Sequence, residues 1–395
     1  MGRKNVCPIC GSSSITTFLT RKRVPVHQHL LMKSKDLARR ENRGTLKLAV
    51  CEGCGFIFNL SFEPRRLRYG ESYDNSQEFS PFFEGYLSRL VRYLVFERGV
   101  RNSRIVEIGC GKGRFLRKLV ESDSGNIGLG FDPSYVGPAT DLGGRLRFEN
   151  DYYGPEYTGA PADVVFCRHV IEHVPDPLNL LGMIRQALRG SPNARIFFET
   201  PSAEWILRNR VIWDLFYEHC SYFTAESLTT AFEISGFRVE SVRRVFSEQY
   251  LWLEASLSTE GTTVNRGAGD IPDLARRLAE SEGALIDSIR ARIRDLAGRG
   301  KVAIWGAGAK GVTILNLVDP DCRCIECVVD LNPNKWGHYI PGTGHPIVGY
   351  KELGKYGVNV AVLMNPNYRD ENLSLLRGAQ LDIDLIDLTE CLEGV

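Results

Sequence analysis

From about residue 103, short apolar runs alternate with stretches of helical spacing. Residues 104–110 (RIVEIGC) read as a strand, 114–122 (RFLRKLVES) as a helix, and 126–132 (NIGLGFD) as a strand again. Strands over 162–168 (ADVVFCR) and 194–200 (ARIFFET) flank a helix over 177–188 (PLNLLGMIRQAL). This alternation predicts a parallel sheet with helices on its faces, an α/β fold. Residues 240–246 and 249–257 are strand-like and finish the sheet. Upstream, the apolar spacing turns helical from Phe83 onward. Downstream, residues 258–271 (STEGTTVNRGAGDI) read as a linker, and 274–300 as a long amphipathic helix ending in Gly. Residues 301–308 (KVAIWGAG) then open a second strand–turn–helix series, with later strands at 324–330 and 359–364. The expected division is 1–70, 71–257 and 258–395, with no internal repeat.

Composition adds exclusions. The 395 residues carry 49 Lys+Arg against 48 Asp+Glu and are 43% hydrophobic, an ordinary globular balance. Near-zero net charge speaks against a nucleic-acid partner. No apolar run approaches the roughly 18 residues that cross a bilayer. The start, MGRKNVCPICG, lacks a signal-peptide core, and its sixth residue is Val where myristoylation wants Ser or Thr. The expectation is a cytoplasmic protein with no membrane partner.

Two Cys-x-x-Cys pairs, Cys7/Cys10 and Cys51/Cys54, are each followed by Gly, the second also by the strand-like FIFNL. Four thiolates in two tight turns suit tetrahedral zinc, whereas the alternative is four unrelated buried cysteines. The set leaves no open coordination position, so the zinc is expected to be structural. His27 and His29 lie between the pairs but find the shell already full. The basic stretch with Arg21, Lys22, Arg23, Arg39 and Arg40 is the one feature that suits RNA.

A Gly-rich turn, Glu107-Ile-Gly109-Cys110-Gly111-Lys-Gly113, follows a strand and precedes a helix. Asp132 ends the next strand, where an acid can accept both ribose hydroxyls of an adenosine. A dinucleotide seats its pyrophosphate on the helix N-terminus, but Glu107 would repel phosphate and attract the cationic parts of S-adenosylmethionine (SAM). The segment resembles the first motif of class I SAM-dependent methyltransferases, acid-x-Gly-x-Gly-x-Gly. The resemblance implies that Glu107, Gly109, Cys110, Gly111 and Gly113 flank the methionine end and that Asp132 holds the ribose. It also puts Asp151 near the adenine, and Arg168 and His169 beneath the sulfonium.

HVIEHVPDP supplies His169, Glu172 and His173, and FYEHCSYFTAESL supplies Tyr217, Glu218, His219 and Tyr222. A single His beside aromatics is usually a packed core residue. Two such loops at the C-terminal edge of one parallel sheet sit where ligands bind. Neutral His takes a proton near neutral pH, and Glu218 is placed to orient it. Methylating carbon needs such a base, because a C–H beside a carbonyl must ionise first.

The order of parts is similar to the sugar C-methyltransferases of deoxysugar biosynthesis: a Cys₄ module, a SAM-type core, EHxxYF, and a second α/β unit with AGAKGVTILN, DLNPNKWG and PGTGHPI. The resemblance covers nearly the whole chain. It implies methylation of a carbon next to the ketone of a nucleotide-linked sugar. By carry-over His219 is the base, Glu218 its neighbour, His173 the second histidine and Tyr73 an aromatic from the N-terminal lobe. Phe216 departs from the family's Tyr and has no hydroxyl to donate; Tyr217 or Tyr222 is expected to substitute. The rival within enzymes is O- or N-methylation of another sugar or small polar metabolite.

Gly306-Ala-Gly308-Ala-Lys310-Gly311 matches GxGxxG, with Asp330 ending the next strand. Alone this is a nicotinamide-dinucleotide fingerprint and keeps an NAD-dependent sugar oxidoreductase open. The resemblance instead makes this unit a Rossmann-like domain that closes over the substrate, with Lys310 touching it. Cys322, Cys324 and Cys327 read as buried residues, not a second metal site.

Overall fold

The computed structural model describes residues 6–67, 70, 73–154, 157, 161–258 and 267–392. Residues 1–5 and residues 259–266 of the expected linker lie outside the described residues.

Three sheets organise the chain. The first holds β1 (Ile15–Pro25), β2 (Arg43–Cys51) and β3 (Ile57–Asn59), plus a strand from far along the sequence, β10 (Ser221–Tyr222), in the order β1-β2-β3-β10. All its pairings are antiparallel. Side chains along β2 alternate between two cores, as the two-residue strand period requires. Leu46, Leu48 and Val50 join a cluster with the long helix Ile271–Arg299, whereas Ala49 and Cys51 join one with Phe223, Leu228 and Ile171. The N-terminal lobe is thus wedged between the other two units.

The second sheet holds β4 (Arg104–Ile108), β5 (Ile127–Phe131), β6 (Thr140–Asp141), β7 (Leu146–Glu149), β8 (Val164–Arg168), β9 (Arg195–Pro201), β11 (Phe237–Val245) and β12 (Tyr250–Leu257). Its order is β11-β12-β9-β8-β4-β5-β7-β6. The five central strands run parallel, and β12 enters antiparallel to β9. The chain leaves β4 toward β5 and returns on the other side as β8. The crevice above β4 and β8 is therefore a topological switch point, where open α/β sheets bind ligands.

The third sheet is wholly parallel: β13 (Lys301–Trp305), β14 (Ile325–Val329), β15 (Ile347–Val348), β16 (Val358–Leu363) and β17 (Asp384–Asp387), ordered β15-β14-β13-β16-β17. Its switch point lies above β13 and β16. The long helix lays Ala275, Leu278, Leu285, Ile289, Ile293 and Leu296 against the shared core, a helical repeat of three, four and seven. Among the described residues no helix is long and apolar enough to cross a membrane.

Candidate active site

The turn after β4 is built by glycines. Gly109 has φ +72°, and a Cβ there would stand 2.0 Å from Val170 Cγ2, so no side chain fits. Gly111 also has positive φ, but a Cβ on it would meet nothing within 4 Å, which leaves an open cradle over the turn. Gly113 caps the helix Arg114–Glu121. Cys110 turns its side chain into the core with Phe115 and Phe148, so only its backbone can meet a ligand. Glu107 lies beneath, 2% exposed, and its Oε2 has no hydrogen-bond partner. Burial pushes its pKa up to about 7 against the pull of Arg168. A buried acid with one oxygen unpartnered, under an open glycine cradle, fits the cationic methionine end of SAM.

Asp132 ends β5; its Oδ2 accepts from Gly111 N at 2.8 Å and its Oδ1 from Ser134 N and Oγ at 2.7 and 2.6 Å. Asp151 is exposed beyond β7 and accepts from Tyr152 N. Arg168, at the end of β8, donates to Glu199 Oε2 at 2.6 Å, and Tyr86 donates to the other Glu199 oxygen. Its guanidinium lies 4.5 Å from the Phe115 ring centroid, and its Nη2 is buried without a partner. His169 takes φ +54°, an uncommon conformation for a non-glycine residue, with Nδ1 3.4 Å from Glu172 Oε1 and its ring edge-on to Tyr250.

A cavity of about 280 Å³ opens where the C-terminal edges of the second and third sheets meet. The second sheet contributes His169, Glu172, His173, Asp214, Phe216, His219 and Tyr250. The third contributes Gly306, Gly308, Lys310, Asn332 and Asn365, and the N-terminal lobe contributes His29 and Tyr73. His173 and His219 face each other edge to face, with ring centroids 4.8 Å apart. Phe216 packs on His219 at 4.1 Å. Burial holds both histidines below their ordinary pKa, His219 well below, with His173 and His169 adding to its shift. His219 is therefore neutral, and its Nδ1 has no hydrogen-bond partner.

Three expectations about this loop differ from the structure. Glu218 does not orient His219: Tyr217 and Glu218 form a turn, and the Glu218 carboxylate faces the N-terminal lobe. There it accepts from Gln28 N at 3.0 Å and from the Tyr73 hydroxyl at 3.1 Å, while burial raises its pKa to about 7. Tyr217 does not border the cavity; its hydroxyl accepts from Glu63 N at 2.9 Å and its ring lies on Gly44. Tyr222 turns its hydroxyl onto the Phe216 backbone, accepting from N at 2.9 Å and donating to O at 3.0 Å. Neither tyrosine supplies the hydroxyl that Phe216 lacks.

The loop is held by residues of the N-terminal lobe. Arg21 donates to Leu215 O and Ile212 O, both at 2.7 Å, and pairs with Glu282 at 2.6 Å. Asn59 N donates to Cys220 O, and Ser221–Tyr222 pairs with Phe58 and Ile57. Arg21 and Arg39 are thus engaged within the fold, Arg39 on Thr343 O and Asp321 O. At the head of this lobe the four sulfurs of Cys7, Cys10, Cys51 and Cys54 lie within 4.8 Å of one another, two pairs at 3.6 and 3.5 Å. Tetrahedral bonds of about 2.3 Å require sulfur separations near this value.

The second glycine turn, with Gly306 and Gly308, borders the cavity. Asp330 accepts from Ala307 N and Asn332 N, as Asp132 does from Gly111 N and Ser134 N, and in addition pairs with the Lys335 ammonium. Lys310 lines the cavity, 2.9 Å from Asp214 Oδ2 and donating to Gln249 Oε1. Cys327 is buried, and Cys322 and Cys324 are half-buried.

Residue-based reasoning set His29 aside with the zinc ligands. Its only sequence signal was its place between the cysteine pairs; no local pattern brings it to a cavity formed with residues 169–219 and 306–365.

Comparison with known proteins assigns this architecture. Residues 80–242 match the family described as methyltransferase domain, and residues 274–379 the C-methyltransferase C-terminal domain. The C-methyltransferase NovU of Streptomyces niveus is 25% identical over 393 residues, covering 92% of this chain and 90% of that protein. The ubiquinone biosynthesis O-methyltransferase of Yersinia enterocolitica is 27% identical over 147 residues, 36% of this chain and 58% of that protein. Among solved structures, the magnesium protoporphyrin IX methyltransferase of Synechocystis is similar with a TM-score of 0.36 and 17% identity, over 49% of this chain and 92% of that one. With both domain matches in chain order and a near full-length relative, the chain is a SAM-dependent methyltransferase with a methyltransferase domain followed by a C-methyltransferase C-terminal domain.

Proposed function

We propose that the protein methylates a carbon next to the ketone of a nucleotide-linked keto-deoxysugar, with His219 as the general base. The observation that carries this reading is the buried, neutral His219, packed edge to face on His173 in the wall of a cavity formed by both sheets. Bound at the Glu107–Gly113 turn, SAM supplies a methyl group made electrophilic by its sulfonium. His219 takes the proton from the carbon, breaking C–H and leaving the electron pair as an enolate. A donor of the cavity wall steadies the oxygen as charge grows there, the single N–H of neutral His173 being held by the Glu218 backbone carbonyl. The carbanion is then the nucleophile for the new C–C bond, the methyl's bond to sulfur would break with its electron pair left on S-adenosylhomocysteine, and proximity in the cavity replaces any covalent enzyme intermediate.

On the same reading the chain divides at about 70 and 258. The C-terminal unit, with Lys310, holds the sugar nucleotide. The four cysteines bind a structural zinc that fixes the N-terminal lobe under the catalytic loop.

Transfer from SAM carrying a ¹³C methyl group tests the reading. The product resonance is expected in the range of methyl on carbon; a resonance of methyl on oxygen or nitrogen overturns it.

A further inference from the structure

Tyr250 opens β12 at the edge of the second sheet that walls the cavity, and it lines the same cavity as His219 and His173. Its register places it opposite Pro201, the last residue of β9, which also borders the cavity. The ring is fixed from two sides. It stacks on Phe246 with centroids 4.8 Å apart and planes 4° from parallel, and the His169 imidazole stands edge-on to it at 4.5 Å. His169 holds that place with φ +54°, a backbone conformation rare outside glycine and concentrated at functional sites. His169 is in turn within electrostatic reach of His219, so the three rings belong to one site.

Among the described residues nothing hydrogen-bonds the Tyr250 hydroxyl. The hydroxyl lies within electrostatic reach of Tyr368 and Asp214, which line the cavity, and of Glu199 and Arg168 on the neighbouring strands. Burial raises its pKa well above the ordinary tyrosine value, with Tyr368, Glu199 and Asp214 adding to the shift, so the proton stays on the oxygen. A protonated phenol without a partner, in the wall of a cavity, is a donor whose acceptor is a ligand.

Other donors of this wall are committed within the fold. The Tyr73 hydroxyl donates to Glu218, the Tyr368 hydroxyl to Gln77, and the His173 N–H to the Glu218 backbone carbonyl. Lys310 is paired with Asp214 and Gln249, and Lys335 with Asp330 and Ala307 O. His219 must accept a proton and cannot donate one at the same atom. Tyr250 has its whole hydroxyl to give.

We propose that Tyr250 is a catalytic residue whose hydroxyl donates a hydrogen bond to the substrate's ketone oxygen and stabilises the enolate. This rests on the enolate reading above and names the donor which that reading requires. The phenol keeps its proton throughout. The C–H proton goes to His219, the C–H electron pair becomes the enolate, and Tyr250 meets the charge that gathers on oxygen. When the carbon takes the methyl group the carbonyl re-forms, and the hydrogen bond weakens to that of a neutral acceptor.

Tyr250→Phe removes one oxygen and keeps the stacked ring, so it tests the hydroxyl and not the packing. Washout of deuterium from the carbon beside the ketone is followed by NMR against an enzyme-free control. The probe is a thymidine-diphosphate-linked 4-keto-6-deoxyhexose, with the zinc-loaded full chain and S-adenosylhomocysteine present. Turnover with SAM is measured in parallel. In Tyr250→Phe, washout and kcat are both expected to fall about 10²-fold, the usual loss of one oxyanion donor, with KM for the sugar nucleotide within about threefold. S-adenosylhomocysteine affinity by calorimetry should stay within about threefold of wild type. Washout in Tyr250→Phe within about threefold of wild type overturns the assignment. So does a loss carried by KM or by S-adenosylhomocysteine affinity alone, which would make the hydroxyl an anchor and not a catalytic donor. Wild-type protein that washes out no label above the control overturns the enolate reading itself and this assignment with it.

Discussion

Replacing His219 with Ala is expected to lower methyl transfer by about 10³-fold, within the range general bases contribute, while SAM affinity stays within about threefold. The asymmetry follows from placement. His219 lines the substrate cavity between Phe216 and His173, whereas the SAM turn lies above β4 with Glu107, Arg168 and Asp132. The variant removes the proton acceptor and leaves that turn untouched.

The pH profile carries the same signature. Burial depresses the His219 pKa, so the neutral, proton-accepting form persists as pH falls below the ordinary histidine value of about 6.5. The acid limb of kcat/KM should therefore lie below 6.5, as measured across pH with saturating SAM. A limb above 6.5 contradicts the neutral-base assignment.

Removing the metal from the four cysteines is the second large effect. β3 begins three residues after Cys54, and β10, which carries the chain away from His219, pairs directly with it. Structural zinc supplies on the order of 10 kcal/mol of folding free energy in small modules. Without it the edge that receives Ser221–Tyr222 is lost, and with it the anchors on Glu218, Tyr217 and Cys220. Chelator-stripped protein should lose methyl transfer by more than about 10²-fold and regain it with added Zn²⁺. It should still bind S-adenosylhomocysteine, because the other face of the second sheet has its own core of Leu94, Phe115, Phe166 and Trp252. Full activity at zero bound metal, read by elemental analysis, contradicts the coupling.

Legibility in the sequence followed the range of the interactions. The strands β4, β5, β8 and β9, their helices and the glycine turn are local patterns, and the expected segments coincide with the observed ones to within two residues. β1 and β2 carried no strand assignment. β2 buries both faces only from Leu48 to Cys51, in two different cores, which cuts short the alternation of Thr45, Leu46, Lys47 and Leu48. The two-residue strand β10 joins residues 57–58 to 221–222, a pairing with no local trace. The side to which Glu218 points was misjudged for a related reason: adjacency in sequence suggests contact, but its partners Gln28 and Tyr73 come from far along the chain. His29 was hidden because the cavity it borders exists only once three sheets assemble.

The central claim is that carbon beside a ketone is ionised and then methylated. A keto-sugar nucleotide deuterated at that carbon, converted by the enzyme and SAM and analysed by mass spectrometry, measures this directly. The account predicts a methylated product that has lost the deuterium. A methylated product that keeps the full label contradicts it.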